Sequence, residues 1–336
     1  RFNDCLNFNV LMILIFISGL TMFMSGLVAN FENDLKKIIA LSTLSQLGLM
    51  MSILALGDSS LSFFHLLMHA LFKALLFMCA GCMIHNLSDC QDIRLMGSLV
   101  GLFPLTSCFF NICNLALSGL PFLSGFYSKD LILEFMSMNY MNIYIYMIYY
   151  LSTGLTAMYS VRLLYYTMFN DYNGLSFSLI SESYNLLKGM GGLIFLVIFG
   201  GSLISWLIFP TPYFICLPFI LKIMTLIVIL LGGGLGYMIS NINYSDWKWS
   251  SSYLLFYFFS SFWNLNDLST LGMNYYFLIF GGELTDKFDQ GWSEYFGSQN
   301  MFFIIMGSSK FMDKIFFMNF KIFLTLFLIW ICFLFT

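Results

Sequence analysis

The stretch Ser118-Gly119-Leu120-Pro121-Phe122-Leu123-Ser124-Gly125-Phe126-Tyr127-Ser128-Lys129-Asp130 interrupts an apolar region and ends in two charged residues. Pro121 lacks a backbone N–H and clashes with the preceding turn, so a helix is not expected to run through it unbroken. Gly119 and Gly125 lower the cost of irregular backbone on either side. Broken helices at membrane depth build the ion and substrate sites of many transporters. The stretch therefore predicts a broken helix beside an ion site. The alternative is a proline kink that serves packing only.

The composition around this stretch is that of a membrane protein. Of the 336 residues, 60% are hydrophobic and only 9% are charged. A span needs roughly 20 apolar residues, and the chain offers repeated segments of that length. We therefore predict an all-α polytopic membrane protein without a soluble domain, and the net charge of −3 without a basic tract argues against nucleic acid as a partner. The predicted spans lie near 10–29, 36–56, 61–85, 104–137 (broken), 140–168, 190–209, 218–240 and 319–336.

Charges at the joints between these segments support the span assignment independently of hydropathy. The joints at 57–60, 138–141 and 210–217 contain no Lys or Arg. Basic residues concentrate on the other side, as the positive-inside rule predicts, with Arg1 and Lys222 as exceptions. The residues of the positive side are Lys36, Lys37, Arg94, Arg162, Lys188 and Lys248.

Three ionisable side chains form a stripe on the third predicted span. His65, His69 and Lys73 are spaced four residues apart, which puts them on one face of a helix. Lys73 is twelve residues after position 61 and twelve before position 85, and so lies near the membrane midplane. An ionisable group there costs about 2.5–3.5 kcal/mol on insertion scales. Because a neutral histidine both donates and accepts, a histidine ladder can pass protons by way of water. The stripe predicts proton transfer. The alternatives are hydrogen bonds between helices, a zinc pair without an evident third ligand, and a snorkelling Lys73.

Lys129 follows the predicted helix break directly. We expect Asp130 and Glu134 to stabilise its charge or to accept its proton, so that an ion pair opening and closing makes an exit-side switch. The alternative is a static buried pair that only fixes helix packing.

Further polar groups are less specific. Ser42, Thr43, Ser45 and Gln46 form a polar face on the second span, which either lines a hydrated path or bonds neighbouring helices. The Cys79-x-x-Cys82 pair has no matching second pair, and we expect small packing residues there and no metal site. His85 is expected at an interface.

Residues 241–318 carry most of the remaining charge. Over 283–296 the large apolar side chains fall on one helical face, which predicts an amphipathic helix along a surface. A terminal span follows at 319–336. The residues of that face are Leu284, Phe288, Trp292, Tyr295 and Phe296.

Several segments together resemble the antiporter-like subunits of respiratory complex I. They are Asn33–Ala40, Ser42–Gly48, the H-x-x-x-H-A-L-F-K run at 65–73, and Gly119–Asp130. Cys90–Arg94 and Gly125–Asp130 are similar in detail to the subunit 5 branch of that family, in its arthropod form. The strong similarity covers about residues 1–170, and the remainder is similar in layout.

The resemblance implies a fold of two inverted five-helix repeats, of which residues 1–170 would be the second. Residues 171–240 would then supply two further spans. It implies roles for Lys73 as the central lysine, His65 and His69 as connecting histidines, and Lys129 with Asp130 as the terminal site. Because the chain starts at Arg1, we expect the first repeat, with its proton entry, upstream.

The resemblance also implies proton translocation in the mitochondrial inner membrane, within the membrane arm of NADH:ubiquinone oxidoreductase. The partners would be other membrane-arm subunits, braced by the carboxyl-terminal surface helix, and the lipid bilayer. No cofactor is expected in this chain, and flavin and iron-sulfur clusters are expected in other subunits. The alternatives are a large subunit of a multi-subunit cation/proton antiporter and a structural scaffold.

Overall fold

The computed structural model describes residues 3–138, 143–174, 181–241, 257–261, 263–318 and 320–335. Within these ranges the regular structure is helical, and the only bridge between extended segments joins Asp34 and Asp92. Lys248 and most of the joint predicted at 138–141 lie outside the described residues. The chain divides into two units, Arg1–Trp263 and Asn264–Thr336.

Nine α-helices are formed by the described residues between positions 8 and 241 of the first unit. Five of them, α1, α2, α3, α8 and α9, are long and apolar enough to cross a membrane. α7 carries hydroxyl groups and Arg162, and it is not among the five although it has 22 residues. The helices are α1 Phe8–Phe31, α2 Leu35–Ala55, α3 Ser59–Asn86, α4 Leu99–Leu102, α5 Pro104–Ser118, α6 Ser124–Met138, α7 Ile143–Leu164, α8 Tyr184–Ile208 and α9 Phe219–Asn241.

The region predicted as one broken span is divided into α5 and α6. Each has 15 residues, and at 1.5 Å per residue each is about 22 Å long, shorter than a hydrocarbon core of about 30 Å. α5 ends at Gly119, whose φ of 87° is left-handed. The Gly119 N–H donates to Ala116 O and the Leu120 N–H donates to Leu115 O, both at 3.2 Å. This is the Schellman arrangement, which satisfies two of the last four carbonyls of the helix.

The two halves approach closely where Gly125 faces α5. A Cβ atom on Gly125 would lie 1.8 Å from the Ala116 carbonyl oxygen, so no other residue fits this crossing without a backbone shift. The second glycine of the motif thus serves close packing, and the first serves the turn.

α3 occupies the interior of the first unit. It packs against α2, α5, α6 and α8, while α7 packs against α1, α5 and α9. Fully buried apolar side chains of α3, such as Phe64, Phe72 and Leu75, fill the space between these helices. The stripe His65, His69 and Lys73 is therefore surrounded by protein on several sides.

One buried arginine joins the helix ends on the side predicted to be positive. Arg162, in the last turn of α7, is only 3% exposed. It donates to the carbonyl oxygen of Glu32 and, at 2.8 Å, to Oδ1 of Asn33, and its guanidinium lies 5.6 Å from the Tyr166 ring centroid. Arg162 therefore stabilises the α1–α2 joint from inside the protein. The sequence analysis placed it on the positive side but did not predict this buried contact.

The second unit exposes nearly all of its side chains, and none of its described residues is buried. Helical backbone runs from 265 to 318 through α10 Met273–Leu284 and α11 Asn300–Met318, and α12 Phe320–Phe335 follows. π-helical turns at Leu268–Gly272, Thr285–Trp292 and Tyr295–Gln299 connect these segments. The helix is thus longer than the predicted 283–296. The face assigned there stays a prediction, because the 3.6-residue period does not apply within π-helical turns.

Candidate functional site: a buried lysine and histidine cluster

The three predicted residues of α3 all point into the protein. The exposed fractions of His65, His69 and Lys73 are 0%, 9% and 4%. Lys73 lies near the middle of α3, which runs from Ser59 to Asn86. The structure therefore places an ionisable stripe in the interior, and Lys73 does not snorkel to a surface of this chain.

His65 connects two other helices. Its Nδ1 lies 2.9 Å from Ser128 Oγ on α6, and its Nε2 lies 3.2 Å from Gln46 Oε1 on α2. Because an amide oxygen only accepts, Nε2 carries the hydrogen in this arrangement, and Nδ1 of the neutral ring accepts from the Ser128 hydroxyl when that hydroxyl turns from the Gly125 carbonyl oxygen, 3.2 Å away. The ring therefore has a defined tautomer and lies directly beside the helix break.

Lys73 is held by α2. Its Nζ donates to Ser42 Oγ and, at 3.3 Å, to the Ile39 carbonyl oxygen. Both partners are neutral, so dipoles alone compensate the ammonium charge. The polar face of α2, whose role the sequence left open, here contacts the ionisable stripe through Ser42 and Gln46.

The Lys129 ammonium group is bound at the end of α5, where the helix is broken. Its Nζ donates to the Leu117 carbonyl oxygen, and Thr156 Oγ1 of α7 lies 3.5 Å away. The Schellman turn leaves the Leu117 carbonyl without a helical partner, and the negative end of the α5 dipole favours a cation there. The broken helix thus creates the binding site for this ammonium group.

The predicted ion pair of Lys129 with Asp130 and Glu134 is wrong. The ion pairs found in the described ranges are Lys37–Asp34, Arg94–Asp92 and Lys287–Glu283, at 2.7, 2.6 and 3.0 Å. Neighbouring residues of an α-helix diverge by about 100°, so Lys129 and Asp130 face different helices.

The two carboxylates face α9 instead. Asp130 lies beside Thr225 and Lys222, although its buried Oδ1 has no hydrogen-bond partner within the described part of the chain. Glu134, one turn further, is within electrostatic range of Asp130 and Lys222. Lys222, which is an exception to the charge pattern of the joints, is thus a basic residue within electrostatic range of both acids.

The amino-acid sequence matches two family models. Residues 2–156 match the model described as NADH:quinone oxidoreductase/Mrp antiporter, TM. Residues 159–336 match the model described as NADH dehydrogenase subunit 5 C-terminus. The chain belongs to the NADH dehydrogenase subunit 5 family.

Curated relatives in the subunit 5 family agree with this assignment. The chain is 53% identical over 324 residues to NADH-ubiquinone oxidoreductase chain 5 of Locusta migratoria, covering 96% of this chain and 57% of the relative. It is 51% identical over 334 residues to that of Aedes aegypti, covering 98% and 58%. The chain spans a little over half the length of these relatives. The resemblance to the subunit 5 branch is thereby confirmed.

Solved structures share the fold of this subunit 5 chain. The Mrp complex from Dietzia sp. DQ12-45-1b aligns with a TM-score of 0.57 and 22% identity over 72% of this chain and 28% of the matched chain. The membrane-bound sulfane sulfur reductase, an archaeal respiratory membrane complex, aligns with a TM-score of 0.52 and 23% identity over 68% and 44%. The predicted antiporter-like, all-helical membrane fold is confirmed.

His69 is the least connected member of the stripe in this subunit 5 chain. Its ring centroid is 6.3 Å from that of His65, and it packs edge-on against Phe72 at 5.4 Å. Its buried Nε2 has no hydrogen-bond partner among the described residues. The sequence spacing therefore predicted the shared face correctly, and proton transfer along the histidines by way of water stays a prediction.

Sequence reasoning missed several polar neighbours of the cluster in this family member. Ser128 and Thr156 contact His65 and Lys129, and the buried Tyr159 lies beside the polar face of α2. The hydroxyls Ser152, Thr156 and Ser160 repeat every four residues on α7, a signal that could have marked this face.

Outside the stripe, Cys79 and Cys82 of α3 lie in packed positions, and His85 lies at the surface. Cys79 is fully buried with its Sγ 3.6 Å from Met190 Sδ, and Cys82 is 7% exposed. Within the described ranges, no three His, Cys, Asp or Glu side chains come together as metal ligands. His85 is exposed at the end of α3.

Proposed function

We propose that this chain carries part of a proton path across the mitochondrial inner membrane, as a membrane-arm subunit of NADH:ubiquinone oxidoreductase. One observation carries the proposal: the hydrogen-bond partners of the buried Lys73 and Lys129 among the described residues are neutral, and His65 contacts both α2, which holds Lys73, and α6, which carries Lys129. Redox energy released in other subunits, which would hold the flavin and iron-sulfur clusters, would drive the path.

The geometry suggests how such a path would work. Lys129 is within electrostatic range of Lys73, His65 and His69, so a proton on one group disfavours a proton on the next. Because no carboxylate in the described ranges forms an ion pair with either ammonium group, a change in one neighbouring charge can move a proton along the cluster. Proton passage would then run from Lys73 through the histidines to Lys129 at the break.

The alternative function is the large subunit of a cation/proton antiporter. The fold is shared with a chain of the Mrp complex, but at 22% identity this likeness concerns the fold alone. A path specific for protons should work in sodium-free medium, whereas sodium-dependent transport would favour the antiporter.

Two histidines of α3, the buried His65 and the exposed His85, provide the test of the proposed function. In His65→Gln, the amide keeps a donor and an acceptor for Gln46 and Ser128 but does not take up a proton near neutral pH. The protons pumped per NADH oxidised should fall several-fold in vesicles containing the intact complex in sodium-free buffer. His85→Gln, at the exposed end of the same helix, is the matched control and should pump like the parent.

Equal pumping by both histidine variants and the parent would contradict the proton path and favour a scaffold role. Pumping that requires added sodium in the parent would favour the antiporter.

We further propose that the second unit binds other membrane-arm subunits and the bilayer. Its helical segment 265–318 would be roughly 80 Å long at 1.5 Å per residue, and large apolar side chains such as Phe277 and Phe317 are 78% and 93% exposed. Apolar surface of this extent needs lipid or protein to cover it.

Deletion of residues 264–336 should therefore greatly reduce the amount of assembled complex, while the first unit keeps its own core. Native gels measure the assembled fraction. A shorter deletion of residues 320–336 serves as the control for loss of the last helix alone, and an unchanged complex after the longer deletion would disprove the bracing role.

A further inference from the structure

Tyr159 on α7 has a buried hydroxyl group without a committed partner. The residue is 2% exposed, and its hydroxyl oxygen makes no hydrogen bond within the described residues. The side chains around this hydroxyl are Ser42, Ser45 and Gln46 of α2. Each of these side chains carries a polar group that can form a hydrogen bond with the hydroxyl.

Two of these neighbours hold the ionisable groups of the site. Ser42 accepts from Lys73, and Gln46 accepts from His65. Tyr159 therefore lies beside a hydrogen-bond partner of Lys73 and a hydrogen-bond partner of His65. Along α3 itself, Nε2 of His69 makes no direct hydrogen bond in the described part of the chain.

We propose that Tyr159 is a positioning residue that couples Lys73 to His65 through the polar face of α2. This inference rests on the proposed proton path and adds Tyr159 of α7 to it. In the coupled arrangement the Ser42 hydroxyl turns from the Ile39 carbonyl oxygen, to which it donates at 2.8 Å, to the Tyr159 oxygen, and Lys73 remains a donor to Ile39. Lys73 then donates to Ser42, Ser42 donates to Tyr159, and Tyr159 donates to Gln46 Oε1, which also accepts from His65.

The donors and acceptors of this arrangement balance. The two lone pairs of the Gln46 carbonyl serve Tyr159 and His65, and both lone pairs of Ser42 remain for the ammonium group. Hydrogen bonds in a chain polarise one another, so the Tyr159 hydroxyl strengthens the hold of Ser42 on the charged lysine.

The test compares two tyrosines of the same helix. Tyr159→Phe removes only the hydroxyl and keeps the ring that fills the core. Tyr149→Phe is the matched control, because Tyr149 is 1% exposed, its hydroxyl is likewise unpartnered, and it lies beside Ser52 of α2, away from the lysines and histidines. Both variants are made in the intact complex.

Tyr159→Phe should lower proton pumping per NADH several-fold and should shift its pH profile. Without the hydroxyl the charged lysine is held less firmly, so loading needs a lower pH. The alkaline fall in pumping should therefore begin about half a pH unit lower or more. Tyr149→Phe should leave both the yield and the profile unchanged. A merely structural loss would lower the yield without moving the profile.

Two further variants separate the outcomes. Ser42→Ala removes the link between Lys73 and Tyr159 and should shift the profile in the same direction, even if Tyr159→Phe assembles poorly. Lys73→Met tests the underlying path. If Lys73→Met loses pumping while Tyr159→Phe matches Tyr149→Phe, the coupling role is wrong and the proton path stands. If Lys73→Met pumps normally, the proton path itself fails.

Discussion

Lys73→Met should reduce proton pumping per NADH by about tenfold or more, with the complex still assembled. Loss of a group that takes part directly in proton transfer typically costs at least that much. The reduction in pumping follows because methionine cannot take up a proton. Assembly should persist because methionine preserves an unbranched apolar stem and removes a buried charge. The Ser42 hydroxyl, which donates to the Ile39 carbonyl oxygen at 2.8 Å, keeps that bond.

Lys188→Met is the matched control for this substitution. Lys188 is exposed on α8, outside the buried cluster, so its loss should leave pumping unchanged. Proton uptake by vesicles and native gels measure the two properties separately. Normal proton flux in Lys73→Met would exclude Lys73 as a carrier.

Lys129→Met should reduce pumping as strongly as Lys73→Met does. It should also destabilise the end of α5 at the helix break. The Leu117 carbonyl oxygen would lose its donor at the end of α5, and an unsatisfied buried carbonyl costs about 1–3 kcal/mol. Thr156 would stay satisfied, because its hydroxyl donates to the Thr153 carbonyl oxygen at 2.7 Å. The expected result is lost pumping together with a lower unfolding temperature of the complex, a combination that Lys73→Met should not show.

Asp130→Asn tests which group holds Lys129. Since Asp130 faces Thr225 and Lys222 on α9, its neutralisation should reduce pumping less than Lys129→Met and leave the stability of the break nearly unchanged. Thermal unfolding followed together with proton uptake distinguishes the two variants. A loss after Asp130→Asn equal to that after Lys129→Met would restore the carboxylate as the partner of Lys129.

Local patterns were sufficient to predict the helices and the break. Pro121 and Gly119 interrupt a long apolar run, and the structure ends α5 at the left-handed Gly119. The four-residue spacing of His65, His69 and Lys73 placed them on one face of α3, because a helix turns about 100° per residue whatever packs around it. Such features depend on neighbours in sequence and can therefore be read without a tertiary structure.

Partners across helices could not be predicted in this way. Lys129 and Asp130 are adjacent in sequence, which suggested an ion pair, but their side chains diverge around the helix axis. The partner of Lys129 is a main-chain carbonyl that Schellman geometry leaves free, and no side-chain pattern encodes that group. Tyr159 is 113 positions after Gln46, and only the packing of α7 on α2 brings them together.

By itself, the sequence determined that the chain is a helical membrane protein with a broken helix and a buried ionisable stripe on α3. Hydrophobic length, proline and glycine chemistry, and helical periodicity are local properties, and they suffice for that conclusion. Only the tertiary structure decided that α2 holds Lys73, that α2 and α6 hold His65, and that the end of α5 holds Lys129. Those contacts depend on how the helices are rotated and how deeply they pack, which is decided by the whole set of neighbouring side chains at once.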